Sequence, residues 1–471
     1  MTQEEGYIRA ARTNPAGAGG EISFAVMYLY VVWVVVLFDV HFFLGTVVFG
    51  PLGRLASLVF VPLLVMIAVN APGILGWAKG WVWYPPFLLL LLSAFVTFPS
   101  AANQLYARAA TQFFVIYYVL GVATAVFVRT ARQAVPIVAM LFVQFIWWAL
   151  HARNMGLVPW HPGLRNYDGF GGLMVQGVAV SVWCGMATRS PWLRRLLLGL
   201  AAYCVIGVMI SFARGAFLSL VVVAGYLWYR SPRKVLTAMW GIVGVVLVIG
   251  AAGVLFPGGA FWSEMASAFS EGTEEGTGGL RWALWMAAID VFKEHPIFGV
   301  GAGNFGAFAS TFFHVGQIEE YPFPGALYGQ NLHNSYFQIL SELGAVGVIG
   351  FTLLMIDFVR RNKAIQTPEA AERWKARTGG AYNLRYLAYA LEGANLANVL
   401  SGIFYASLLV PWFYTTWIMN TMLWAVTRPD GKDASMVGTA PAVVPEPQRW
   451  PTRGGLRGPV ADPVGITRPP P

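Results

Sequence analysis

A chain of 471 residues that is 57% apolar, 15% aromatic and only 11% charged is not a soluble globular protein, since soluble domains carry about 25% charged residues. Its net charge of +9 is no nucleic-acid signal, because in a membrane protein the placement of Lys and Arg matters more than their sum. With a mean hydropathy of +0.59, the chain reads as a polytopic, all-α integral membrane protein.

Residues 1–21 are polar and Gly-rich, carry Arg9 and Arg12, and lack a cleavable pattern, so they read as a cytoplasmic arm. A span needs roughly 20 apolar residues. About twelve stretches qualify: 22–40, 52–70, 82–99, 109–128, 133–150, 171–188, 195–211, 214–230, 235–256, 337–359, 385–408 and 411–427. Pro85-Pro86 and Pro411 are expected to interrupt the third and the twelfth. The predicted organisation is a bundle of nine spans over 22–256, a large folded loop over 257–336, and three spans over 337–427 with a basic loop at 360–385. A Pro-rich tail at 428–471 reads as disordered. Cys184 and Cys204 lie inside apolar runs and read as small core residues, not a disulfide.

Orientation follows the basic residues. With the N-terminus inside, the inner connections hold Lys79, Arg129, Arg132, Arg189, Arg194, Arg195, Arg230, Arg233, Lys234 and the run from Arg360 to Arg385. The outer side keeps only Arg54, Arg108, Arg153, Arg165, Arg214, Arg281 and Lys293. The 257–336 segment therefore faces outward and the tail inward. No internal repeat is apparent, which disfavours an inverted-repeat transporter, the remote alternative.

Arginines on the outer side oppose this bias and mark candidate sites. Arg214, in the tight turn Ser211-Phe-Ala-Arg-Gly-Ala216, reads as an anion site, with Gly215 letting a ligand approach the backbone; the alternative is an arginine that snorkels to headgroups. Arg281 is expected to open an amphipathic helix with Trp282, Trp285, Met286, Ile289 and Phe292 on one face, which would set it at a helix N-terminus suited to phosphate. Arg153 and Arg165 flank another outer loop and are weaker candidates. Gly301-Ala-Gly-Asn-Phe-Gly306 matches GxGxxG, but no βαβ unit surrounds it; it reads as a tight turn, or as an amide nest near an anionic ligand. His41, His151, His161 and His295 have no organised partner, and a metal site from His295, His314 and His333 would need irregular spacings. His333 differs: it stands where the outer segment meets a span, followed by Asn334, with Gln338 and Glu342 on the same side of the next helix. An imidazole there suits a general base. Glu264, Glu271, Glu274, Glu275, Glu319 and Glu320 read as solvated charge, and Asp39 and Asp357 as acids near span ends.

Arg214-Gly215 in its short turn, Arg281…Trp285, His295-Pro-Ile-Phe-Gly-Val-Gly-Ala-Gly-Asn-Phe305 and His333-Asn334…Glu342-Leu-Gly344…Gly347 together resemble the O-antigen ligase and polymerase superfamily over roughly residues 205–350. The resemblance implies a GT-C-like, metal-independent inverting glycosyltransferase without cofactor, in the bacterial inner membrane, with both termini cytoplasmic and the 257–336 loop periplasmic. Its donor would be a glycan on undecaprenyl pyrophosphate. Its acceptor would be lipid A–core for a ligase, or a lipid-linked repeat for an O-antigen or exopolysaccharide polymerase. His333 would be the base, Arg214 and Arg281 would bind the donor pyrophosphate, and Asn334, Gln338 and Glu342, with Arg153 and Arg165, would be candidate supports.

Overall fold

The computed structural model describes residues 23–38, 55–69, 85–128, 130–152, 167–270, 276–312, 331–378, 380–406 and 408–428. Each of the twelve apolar stretches contains a helix. They are α1 (Phe24–Leu37), α2 (Leu55–Val69), α3 (Pro85–Thr97), α4 (Gln104–Phe127), α5 (Ala131–His151), α6 (Tyr167–Ala187), α7 (Pro191–Ser211), α8 (Arg214–Arg230), α9 (Lys234–Leu255), α13 (Ser335–Ile365), α15 (Leu384–Phe404) and α16 (Pro411–Thr427). Between α9 and α13 lie α10 (Ala260–Ser270), α11 (Gly276–Glu294) and α12 (Phe305–Phe312), and α14 (Pro368–Thr378) follows α13. No strand forms among the described residues, whose one isolated bridge joins Thr188 and Tyr382. Among the described residues six helices, α4 to α7, α9 and α13, are long and apolar enough to cross a membrane.

The helix boundaries have local causes. Asn103 caps α4 by accepting from the amides of Leu105 and Tyr106, and Thr130 and Gln133 form a capping box at the start of α5. The prolines expected to interrupt the third and twelfth stretches instead start helices: Pro85 is the first residue of α3 and Pro411 of α16. A first-turn proline loses no intrahelical hydrogen bond, because its amide would have had no partner there.

α6 is the hub. It is buried along most of its length against α7, α8 and α15, and small residues let its neighbours close in. A Cβ on Gly172 would stand 3.0 Å from Ser401 Oγ, and one on Gly177 only 2.6 Å from Cys204 Sγ. Both cysteines are free and buried, as expected. α9 is the opposite case: apolar on every side, it buries only Ala252. At the end of the bundle away from Arg214, the basic connection expected at 360–385 is folded. α13 continues to Ile365, α14 buries Ala370 and Trp374, Trp374 Nε1 donates to Tyr382 O at 2.9 Å, and Arg373 Nε donates to Thr427 O at 2.7 Å. Asp357 is not a bare acid there; it pairs with Arg361 at 2.8 Å.

An apolar cavity of about 270 Å³ lies inside the bundle between α5, α6, α7, α15 and α16. It begins at Gln144, Gln176 and Thr416 and reaches Trp374 and Tyr382. Gln176 is eight residues along α6 from Asp168, about 12 Å at the α-helical rise.

Candidate active site

Three helix ends meet where Arg214, Arg281 and His333 lie. The first contact is between α6 and the turn before α8. Phe212 takes a left-handed conformation (φ 52°), which reverses the chain between α7 and α8. Gly171 lets that turn lie directly on α6, since a Cβ there would be 2.6 Å from Ala216 Cβ and 2.8 Å from Ser211 Oγ. Arg214 is thus held, as the first residue of α8, beside the opening turn of α6. Its Nε pairs with Glu264 of α10 at 3.4 Å. Glu264, expected to be solvated charge, is therefore a partner of the candidate anion site. Gly215 has another purpose than the one its sequence suggested. A Cβ there would meet the ring of Phe404 at 2.5 Å, so the missing side chain admits α15, not a ligand.

The second element is α11. It starts at Gly276, so Arg281 lies in its second turn and does not open it. The Gly-rich segment ahead of Arg281 adds a helical turn, and the macrodipole argument for phosphate weakens, because that effect is confined to the first turn. The buried stripe also differs from the expected one. Leu284, Ala287, Ala288 and Val291, at i, i+3, i+4 and i+7, pack with Val300, Phe305, Ala309 and Leu332 in a small core of their own, while Trp282 is 49% exposed. Trp285 sits at the stripe's edge. Its indole stacks on Phe337 at 5.3 Å, and its Nε1 donates to Leu332 O at 3.0 Å. Those two contacts tie α11 to the first turn of α13 and to the residue immediately before His333.

His333 itself is in the left-handed region (φ 49°), and its amide donates to Asn331 Oδ1 at 3.3 Å. Asn334 caps α13 by accepting from the amides of Tyr336 and Phe337, and donates to Ile403 O at 3.0 Å. Ser335 Oγ donates to Tyr405 O at 2.9 Å. The helix start beneath His333 is thereby fixed to the end of α15.

A residue absent from the sequence-based candidates joins these parts. Asp168, in the first turn of α6, has a side chain only 5% exposed. Its Oδ2 lies 3.7 Å from an Arg281 terminal nitrogen and 3.8 Å from His333 Nδ1. Tyr167 is within electrostatic range of Asp168, Arg281, Arg214 and Glu264 together. The sequence did contain a signal for Asp168: a carboxylate at the start of an apolar run, followed by Gly-Phe-Gly-Gly, in a chain with 22 acidic residues in all.

The remaining motif residues form the frame of the site. Inside α13, Gly344 leaves helical geometry (φ 63°, ψ −163°). The kink frees backbone groups that the segment Pro296–Gly301 then satisfies. The amides of Ala345 and Val346 donate to the carbonyls of Pro296 and Ile297, and those of Val300 and Gly301 donate to the carbonyls of Ser341 and Glu342. Ser93 Oγ lies 2.9 Å from Phe298 O and 2.8 Å from Leu343 O, so its one proton serves either carbonyl. Gly299 and Gly344 both have positive φ, and a Cβ on either would stand about 2.5 Å from facing backbone.

The GxGxxG turn is an amide nest, and the anion it holds is internal. Glu342, 3% exposed, accepts from the amides of Gly303 (2.9 Å) and Phe305 (3.3 Å) and from Gln338 Nε2 (3.1 Å). Asn304 Oδ1 accepts from the amide of Asn103 at 2.7 Å, fastening the turn to α4. Glu342, Gln338 and Asn334 are thus engaged in the frame. Arg153 and Arg165 lie outside the described residues, as do the N-terminal arm, residues 429–471 of the Pro-rich tail and His41, His161, His314 and Asp39. Among the described residues, no three His, Cys, Asp or Glu side chains gather as metal ligands.

Residues 199–352 match the family model described as O-antigen ligase. That segment runs from α7 through the Gly344 kink, and it holds Arg214, Arg281, His333 and the frame; Asp168 lies before it. The chain thus resembles the O-antigen ligase and polymerase superfamily over this region, as its motifs suggested, and with its apolar helices it is a multi-pass membrane protein. Comparison with curated proteins returns no match.

Proposed function

We propose that this protein, with its O-antigen ligase region at residues 199–352, is an inverting membrane glycosyltransferase that moves a glycan from undecaprenyl pyrophosphate to lipid A–core. The observation that carries the reading is the meeting of His333, Arg281 and Arg214 at one end of the bundle, around Asp168 and Tyr167. In this reading that end is periplasmic, about twelve spans cross the inner membrane, and both termini are cytoplasmic. The basic residues favour this orientation, since Arg189, Arg194, Arg230, Arg233 and Arg373 lie toward the other end.

The chemistry follows from the residues. The leaving group is a pyrophosphate, and charge grows on it as the glycosidic bond breaks. Arg214 and Arg281 offer charge-assisted, bidentate hydrogen bonds to its oxygens. Without donor, each rests on a carboxylate, Glu264 and Asp168. Donor binding exchanges the Glu264 contact of Arg214 for phosphate, while Arg281 keeps Asp168 on one side and offers its remaining N–H groups to the donor. The acceptor hydroxyl attacks the anomeric carbon from the opposite face, and His333 takes its proton. Two guanidinium groups serve the role a divalent ion has in other transferases, so transfer is expected to proceed without metal. The apolar cavity offers room for hydrocarbon beneath the site.

Within the same superfamily, the alternative is a polymerase whose acceptor is another lipid-linked repeat. The test is transfer by the purified protein in nanodiscs with EDTA present. An undecaprenyl-pyrophosphate glycan is supplied with or without lipid A–core. Glycan on lipid A–core, lost in His333→Ala and Arg214→Ala, is the expected result. Chain growth without that acceptor would make the protein a polymerase. Full activity in His333→Ala would remove the base assignment, and no transfer in either format would return the transporter reading.

A further inference from the structure

We infer that Asp168 is a positioning residue for transfer: one buried carboxylate oxygen, shared between Arg281 and His333 Nδ1, sets the base and the donor clamp in register. The inference rests on the transferase reading above and assigns a role to a residue outside both the sequence motifs and the family-matched segment.

The burial of Asp168 is the first argument. A carboxylate 5% exposed is costly unless cationic or donating groups surround it. A purely structural ion pair would be complete with Arg281 alone. Here the same Oδ2 lies 3.7 Å from Arg281 and 3.8 Å from His333 Nδ1. These separations are longer than direct hydrogen bonds, and sites without substrate often tighten only in the reacting complex.

The second argument is the ring. His333 has two nitrogens, and the one beside a carboxylate is the one that carries the proton in the neutral form. With Nδ1 toward Asp168, Nε2 on the opposite side of the imidazole is left with its lone pair for the acceptor. As the acceptor oxygen bonds to the anomeric carbon, the bond from that carbon to the phosphate oxygen breaks and its electron pair leaves with the pyrophosphate. The acceptor proton passes to Nε2. The imidazolium so formed is stabilised by the Asp168 carboxylate. Asp168 and the diphosphate also share Arg281, so the guanidinium that neutralises the leaving group is held at a fixed distance from the base.

The third argument is the backbone. Asp168 stands on α6, a helix buried along most of its length in the bundle, while Arg281 and His333 stand on segments of the smaller core around α11. Asp168 is therefore the point where the rigid bundle sets the geometry of both.

The experiment measures kcat and donor KM for the full-length protein in nanodiscs, comparing wild type, Asp168→Asn, Asp168→Glu, His333→Ala and the double variant Asp168→Asn/His333→Ala. All are first checked for monodispersity and thermal stability. Asn keeps the volume and can still accept from Arg281, so the loss is expected in kcat, by roughly 10²-fold or more, with donor KM moving by less than about fivefold. Asp168→Glu restores part of kcat. In the His333→Ala background, adding Asp168→Asn costs less than about twofold, because a residue that works through the base has nothing left to act on.

A loss of equal size in both backgrounds, or one confined to donor KM, would make Asp168 a structural partner of Arg281 and overturn the inference. So would unchanged kcat in Asp168→Asn. If His333→Ala shows no measurable transfer, the kcat against KM split in Asp168→Asn decides alone. Full activity of His333→Ala would instead defeat the base assignment, a result distinct from any of these.

Discussion

His333 occupies a backbone conformation that costs an L-residue roughly 1–2 kcal/mol per position, although His is among the side chains found there more often than most. The strain persists because both neighbours are fixed: Leu332 is buried with its carbonyl on Trp285, and Asn334 caps α13. The expected consequence separates stability from activity. His333→Gly and His333→Ala should both lose transfer, but the Gly variant should unfold at the higher temperature, by an amount equivalent to about 1 kcal/mol, as thermal unfolding in detergent would record. Glu342 makes the reverse kind of prediction. Glu342→Gln keeps the shape but turns an NH₂ group toward an amide of the nest, leaving a buried donor unmet. A loss of about 1–3 kcal/mol in stability is expected, and activity should fall only as far as the folded fraction does. At this scale the sequence disclosed the candidate site residues and hid their partners. Arg214, Arg281 and His333 stand out because charge is rare and out of place there, whereas Asp168 acquires its meaning only from residues more than a hundred positions later.

At the scale of elements, the latch between Pro296–Gly301 and the kinked α13 carries the site. Gly299→Ala and Gly344→Ala each place a methyl group against facing backbone at positive φ. Each should destabilise the protein by at least about 1–3 kcal/mol, measured as a fall in melting temperature together with loss of transfer. Gly241 in α9 is the control: a Cβ there meets nothing within 4 Å, and Gly241→Ala should retain wild-type activity and stability. Trp285→Ala removes both the stack on Phe337 and the bond to Leu332, loosening the His333 segment from α11. Transfer should fall by roughly tenfold or more, since a misplaced base loses most of its advantage, with donor KM changing less. The latch was legible only as a motif. Periodicity reports one helix at a time, so the glycines were visible, while the kink they serve and the internal carboxylate in the nest were not.

For the molecule as a whole, a helix lies in each of the twelve stretches that hydropathy picked out, because each needs only its own residues to be apolar. It placed α11 less well: the Gly-rich lead-in hid its first turn, and Trp282 and its neighbours masked the smaller Leu284, Ala287, Ala288 and Val291 stripe that is buried. Small residues contribute little to a hydrophobic pattern and a great deal to close packing. The same holds for Gly215, whose neighbour Phe404 belongs to a helix almost two hundred residues away.

Those separations also bear on biosynthesis. Ser93 and Asn103 reach Phe298, Asn304 and Leu343 across 201 to 250 residues, and Asp168 must find both Arg281 and His333. A ribosome delivers the chain from the N-terminus at roughly 5–20 residues per second, so the early helices wait on the order of ten seconds or more for the segment that completes them. Throughout that wait the membrane holds a bundle with Asp168 and Arg214 in place and neither Arg281 nor His333. The site is complete only when α13 has been made and its glycine kink has closed on Pro296–Gly301, so under the proposed function a nascent or truncated chain does no chemistry on lipid-linked glycans.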